Sequence, residues 1–265
     1  MDSPAKNHKM RIWTPDGETW ESRPLTNEVP VVFEYNCVTF AVMMATEADL
    51  IDFAYGFSLT ERIIESTSEI IYTQIKEGPK GQIAAIEVNA YAFHRLEKYN
   101  RAMVGRTGCG LCGVDKLEQA IFPLEKVVSD LKVEANQIHK SVLDIKNHQR
   151  MNKETGALHA AAFVSNEGQI IALREDVGRH NALDKLIGYL MREDIKPATG
   201  FALITSRCSF EMVQKCAIAG IPIIAAVSAT TELAVDLADQ AGISVVTFAR
   251  KDGMNIVTDP EGRIL

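Results

Sequence analysis

Phe201-Ala202-Leu203-Ile204-Thr205, Pro222-Ile223-Ile224-Ala225-Ala226 and Ser244-Val245-Val246-Thr247-Phe248 are the runs that decide the fold. Each is short and continuously apolar rather than alternating, the pattern of a strand buried on both faces. Helical patterns lie between them at Phe210–Ala219 and Thr231–Ala241, and a third, Arg179–Met191, precedes the first run. Strands alternating with helices in this way predict a largely parallel sheet with helices packed against it. Two more strands, His159–Ser165 and Ile170–Glu175, meet at the turn Asn166-Glu167-Gly168 and add an antiparallel pair at the start. A helix over Glu134–Arg150, with Ile138, Val142 and Ile145 on one face, comes before them. Residues 126–265 therefore read as an α/β/α layer domain.

Residues 1–104 read as a smaller α+β domain. Its strands are Val29–Tyr35, Val38–Ala45, Ile70–Ile75 and Gln82–Asn89, the last two joined by the turn Gly78-Pro79-Lys80-Gly81. Helices are expected over Ala48–Ile64 and Tyr91–Arg101. Residues 105–125 form a connector.

Hydrophobic content of 46% and charged content of 24% in 265 residues fit a globular chain. A net charge of −7 argues against general nucleic-acid binding, so any anionic ligand must be held by a local cluster of basic side chains. Met1 to Met10 lacks an apolar core of the secretory type, and the most apolar stretch, Ala217 to Ala229, is broken by Gly220, Pro222 and Ser228. With five cysteines, an odd count, the expectation is a cytoplasmic protein with reduced thiols and no membrane span.

The connector holds the chemistry. In Gly108-Cys109-Gly110-Leu111-Cys112-Gly113, two thiols stand three positions apart among three glycines, just after Arg106. Glycines make a poor helix and a poor strand, so this is a loop. An unperturbed thiol, pKa ~8.5, is only about 3% ionised at pH 7, and a nearby cation such as Arg106 raises the thiolate fraction. The glycine spacing also matches a dinucleotide fingerprint, but no strand precedes it and Pro123 cuts short the helix that should follow. A P-loop fails because Leu111 stands where its lysine must be. A disulfide redox pair would need a firmer helix after the first cysteine, and a zinc or iron–sulfur centre would need further ligands. A zinc deaminase needs His-x-Glu, and none of the six histidines has Glu two positions on, so no bound metal is expected.

The densest polar segment, Arg174-Glu175-Asp176-Val177-Gly178-Arg179-His180-Asn181-Ala182-Leu183-Asp184-Lys185, falls where a strand ends and a helix begins. Free backbone N–H groups and the positive end of the helix dipole favour an anion there. Arg179, His180 and Lys185 would add donors. Ser206-Arg207-Cys208-Ser209 occupies a similar place before the next helix. Two basic strand ends in one sheet point to a cleft for a phosphate-bearing ligand.

Four ordered motifs make the chain recognisable: Cys-Gly-x-Cys-Gly at Cys109–Gly113, Thr155-Gly156-x-x-His159, Glu175 to Lys185, and Ser206-Arg207-x-Ser209-Phe210-Glu211-Met212-Val213-x-Lys215. Over nearly its whole length the chain resembles the FdhD family of formate dehydrogenase accessory sulfurtransferases. The resemblance implies a C-terminal domain similar to the cytidine deaminase fold. It implies that a cysteine desulfurase loads a persulfide onto Cys109. Cys112, the other candidate catalytic thiol, would resolve the persulfide, receive it or merely assist. The sulfur would pass to molybdenum (or tungsten) bis(molybdopterin guanine dinucleotide), a guanine-nucleotide-bearing pterin, before that cofactor enters formate dehydrogenase. The family's cofactor-binding stretch corresponds to Phe248-Ala249-Arg250-Lys251-Asp252-Gly253. Arg179, His180, Lys185 and Arg207 would join Arg250 on the phosphates. Two departures stand out: Gly108 replaces a small hydroxyl residue, and Asp252 brings a negative charge into the cofactor stretch. A homodimer is expected for a two-sided carrier. The competing reading is a chaperone that delivers the cofactor without moving sulfur.

Overall fold

The structure is a computed structural model that describes residues 5–101 and 122–265. It begins with a hairpin that apolar alternation does not predict. β1 (Ala5–Thr14) and β2 (Gly17–Thr26) pair antiparallel along their length, mostly exposed on both faces. With neither face buried there is no period-2 signal to read. The local mark is Thr14-Pro15-Asp16-Gly17, a tight-turn sequence, where Thr14 Oγ1 donates to Gly17 O at 3.1 Å.

β3 (Val29–Tyr35), β4 (Val38–Ala45), β5 (Ile70–Gly78) and β6 (Gly81–Val88) form a second sheet in the order β4-β3-β6-β5. α1 (Leu50–Thr60) covers one face, and α2 (Ala90–Arg101) follows β6. α1 is shorter than the predicted 48–64 at both ends for a backbone reason. Asp49 at φ 53° and Arg62 at φ 60° are left-handed and cannot continue a right-handed helix. Arg62 N–H donates to Leu59 O and Ile63 N–H to Ser58 O, which closes the last turn. Phe33 packs between Phe53 (5.0 Å, edge-on) and Phe57 (4.2 Å) at the centre of this core.

The second half builds the layer domain. α3 (Ala135–His148) and α4 (Arg150–Thr155) lead into β7 (His159–Ser165) and β8 (Ile170–Asp176). Then come α5 (Arg179–Arg192), β9 (Gly200–Ile204), α6 (Phe210–Ala219), β10 (Ile223–Ala226), α7 (Glu232–Gln240), β11 (Ser244–Arg250) and β12 (Gly253–Thr258). The sheet order is β12-β11-β10-β9-β7-β8. Only β9, β10 and β11 run parallel; β7, β8 and β12 are antiparallel to their neighbours, so the sheet is mixed rather than largely parallel. The three apolar runs are its centre. Ala202, Ile204, Ile224, Ala226 and Val245 face α5, α6 and α7, while Phe201, Leu203, Ile223, Ala225 and Val246 face α3. That is the α/β/α class expected from the pattern.

The two units join where α1 crosses α5. A Cβ at Gly56 would collide with Asp184 O, and one at Gly188 with Asp52 O, so the helices touch backbone to backbone. Around the crossing, Arg174 Nε donates to Asp52 Oδ2 at 2.8 Å, and Arg192 pairs with the other oxygen of the same carboxylate. Lys215 Nζ lies 2.9 Å from both oxygens of Asp184 and from Thr60 Oγ1. Gly188→Ala must push two backbones apart, so it should cost about 1–3 kcal/mol, the usual range for overpacking. A urea unfolding midpoint equal to wild type would show that the two helices are not in contact there.

Candidate functional site

The motifs converge on one rim of the six-stranded sheet. β9, β10 and β11 end there, and antiparallel β7 begins there with His159. The sheet order turns at this point, with β8 on one side of β7 and β9 on the other. A chain of bonds ties the rim together. Thr205 N–H donates to Ala160 O, Cys208 N–H to Ala229 O, and Phe248 N–H to Ser228 O (3.0, 3.0 and 3.1 Å).

α5 and α6 point their N-termini at the rim. Their N-caps, Gly178 and Ser209, make no side-chain capping bond, so first-turn N–H groups are left for another acceptor. A Cβ at Gly178 would press on Asn181 Nδ2 at 2.9 Å, so that amide would have to shift. Arg179 and His180 open α5. Arg179 Nε and Ser209 Oγ are buried and find no hydrogen-bond partner among the described residues. His180 Nε2 lies 2.9 Å from Glu211 Oε2, close enough for an ion pair though out of line for a good hydrogen bond. This contact to His180 is the main cause holding the Glu211 carboxyl below its usual range. Arg207 is exposed on the β9–α6 loop.

His159 is half-buried, and burial first, then the charges of Arg179 and His180, pull its pKa down, against the opposing pull of Asp176. The unfolded chain therefore binds this proton more readily than the folded one. Stability contributed by neutral His159 is present above pH ~6.5 and is lost as pH falls from there towards the lowered folded value. His159→Gln should flatten that part of a stability-versus-pH curve. An unchanged slope between wild type and variant would show that neither burial nor its neighbours lower the His159 pKa.

The stretch 248–253 forms the end of β11 and its turn into β12. The register shifts between Thr247 and Arg250, and Phe248 takes φ 49°. A left-handed aromatic residue in a bulge is strained and re-aimed, and Phe248 is turned out to 43% exposure. The Arg250 guanidinium carbon stands 5.5 Å from the Phe248 ring centre, and Arg250 Nε donates to Val227 O at 3.1 Å. Lys251, Asp252 and Gly253 are exposed at the tip, whereas the Ala249 side chain is buried in the core facing α3.

Lys185 requires a correction. It is fully buried, with Nζ 2.6 Å from Asp176 Oδ2 and 2.9 Å from Thr46 O. Both faces of α5 are covered, one by the sheet and one by α1, which leaves this ammonium no route to a ligand. It braces the frame behind the rim. Cys109, Cys112 and Arg106 lie outside the described residues. Phe122, the first described residue after that segment, lines a cleft of about 580 Å³ with Arg62, Glu65 and Arg95. The Arg62 guanidinium stands 4.5 Å from its ring centre.

His159, Ser209 and Glu211 stand in the motifs with no role assigned above; the rim brings His159 and Glu211 beside Arg179 and His180, and Ser209 caps α6. Their signal was position, since each stands at a strand start or helix start of the same sheet end. Among the described residues, no group of three His, Cys, Asp or Glu side chains is placed to hold a metal ion. No described helix is long and apolar enough to cross a membrane.

Comparison with known proteins bears on the family and the fold. A sulfur carrier protein FdhD of Variovorax paradoxus is 44% identical over 233 residues, covering 88% of this chain and 84% of the relative. One from Agrobacterium fabrum is 44% identical over 248 residues, covering 92% and 90%. A crystallised formate dehydrogenase accessory protein from Desulfotalea psychrophila superposes with a TM-score of 0.76 over 98% of this chain and 99% of its own. At 24% identity, that likeness bears on the fold. The model of the FdhD/NarQ family matches residues 26–265, which leaves out residues 1–25 and takes in the connector and the whole rim. The chain belongs to the FdhD/NarQ family.

Proposed function

We propose that this chain is a sulfur carrier in formate dehydrogenase maturation, and that Cys109 is the atom-bearing residue. The observation that carries the reading is the family match over the connector and rim, to relatives that are themselves sulfur carrier proteins. The Cys109 thiolate attacks the outer sulfur of a cysteine desulfurase persulfide. A new S–S bond forms, the donor's S–S bond breaks, the donor leaves as a thiolate, and the proton stays on the transferred sulfur. The acceptor is molybdenum bis(molybdopterin guanine dinucleotide), bound as cargo. Arg179, His180, Arg207 and Arg250 meet its phosphates, with arginines suited to bidentate contact. The exposed Phe248 ring offers a face for the guanine. Lys251, Asp252 and Gly253 supply the turn, and Cys112 assists or receives the sulfur. The carrier works in the cytoplasm as a homodimer, between the desulfurase and formate dehydrogenase.

The test is intact-mass spectrometry after incubation with a cysteine desulfurase and cysteine. The expected result is a gain of one sulfur that is removed by reductant. No gain would favour a chaperone that delivers the cofactor without moving sulfur.

A further inference from the structure

His139 stands at the start of the second turn of α3, across the sheet from α5, α6 and α7. It reaches the back of the turn that presents Arg250. Its Nε2 lies 3.2 Å from Arg250 O and 3.1 Å from Lys251 O. A carbonyl oxygen can only accept, so Nε2 carries the proton and donates to both. One N–H thus gathers two consecutive carbonyls of a turn whose tip side chains are exposed. From the other side, Ser228 O holds the Phe248 N–H and Val227 O holds Arg250 Nε. The Arg250 backbone is clamped from one direction and its side chain from the other. Nothing in the sequence pairs residues 111 positions apart; the contact exists because α3 packs beside β11.

We infer that His139 is a positioning residue for Arg250. It touches no ligand, and it fixes the turn so that the guanidinium is already placed when a nucleotide phosphate arrives. This rests on the reading above that the 248–253 turn binds the guanine-nucleotide end of the cofactor. A pre-placed arginine loses less conformational freedom on binding, so the benefit appears as affinity. The same geometry predicts that a side chain with an amide N–H at the right height can replace the imidazole.

The test uses GDP, which carries the guanosine and diphosphate chemistry of that end, titrated calorimetrically into the full-length chain. His139→Ala should weaken binding by about five- to tenfold, the scale of one or two hydrogen bonds. His139→Gln should restore most of it. In an Arg250→Ala background, His139→Ala should change affinity by less than about twofold, because the two act as one unit. Equal losses in both backgrounds, or no rescue by glutamine, would overturn the assignment. Amide hydrogen exchange at residues 249–253 gives a ligand-free readout. It should speed up in His139→Ala alone and return to the wild-type rate in His139→Gln, and unchanged rates would also overturn the assignment. If wild type fails to bind GDP while exchange responds as described, the nucleotide reading falls and the clamp stands.

Discussion

Alanine at Cys109 is expected to abolish sulfur loading and to lower formate dehydrogenase activation by on the order of a hundredfold or more, as loss of a nucleophile does. The chain should stay folded, which an unfolding midpoint equal to wild type checks. The loss should be complete because the cysteines outside the Cys109–Cys112 pair are poor substitutes. Cys208 and Cys216 are buried under α6 in the main core. Burial pushes the Cys208 thiol up to about 12, so roughly one in 10⁵ is ionised at pH 7. Burial drives Cys216 up as well. Cys37 is exposed, but it sits at φ 65° in the tight turn between β3 and β4, with no basic residue within four positions. Cys37→Ser should therefore load sulfur as wild type does. Cys112→Ala separates the remaining ideas. If Cys109 alone carries the sulfur, the variant still gains one sulfur atom; if the two thiols work as a disulfide couple, it loses function without ever having held sulfane sulfur. Full activation by Cys109→Ala would end the carrier mechanism for this chain.

Much of this architecture can be read from residue order, and the failures have physical causes. α6 lies at Phe210–Ala219 as the pattern predicts, between two strands that are apolar throughout. Continuous apolar runs mark strands buried on two faces, and this sheet has helices on both. β1, β2 and β12 escape because they are exposed and carry no burial period. Their Asp-Gly steps, Asp16-Gly17 and Asp252-Gly253, mark their turns. The direction of β7 and β8 beside β9 is set by connection geometry, which a parallel-sheet rule does not reach. At the site, the segment from Glu175 to Lys185 is legible as chemistry and not as depth. Arg179 and His180 stand on the rim, and Lys185, less than two turns further along the same helix, is buried. The difference comes from α1, which covers the outer face of α5 from more than a hundred residues away. No local spacing records that cover.

The same cover leads to the second large effect: Asp176→Ala and Lys185→Met should damage stability before they damage binding. Asp176 is fully buried and its carboxylate is saturated. Oδ2 accepts from Lys185 Nζ at 2.6 Å and from Thr46 N–H at 2.9 Å, while Oδ1 accepts from Gly178 N–H at 2.8 Å and Asn181 Nδ2 at 2.9 Å. Burial lowers the Lys185 pKa and the Asp176 charge opposes that shift. Breaking a buried pair by removing one partner costs about 3–5 kcal/mol, because the other charge is left uncompensated. Asp176→Ala should be the worse of the two, since it strands an ammonium and three further donors. Against a total stability of about 5–15 kcal/mol, that brings the chain close to unfolding. Lys185→Met leaves the carboxylate with three donors and fills the volume, so it should fall nearer the lower figure. These losses reach the rim through geometry. Thr46 closes β4, Gly178 caps α5, and Asp176 is the bolt between them, so Asp176→Ala should release Arg179 and His180 along with the first unit. Arg179→Ala should behave in the opposite way, weakening nucleotide binding with an unfolding midpoint close to wild type. If Lys185→Met keeps the wild-type midpoint and loses binding as Arg179→Ala does, then Lys185 reaches the ligand and its burial is not its working state.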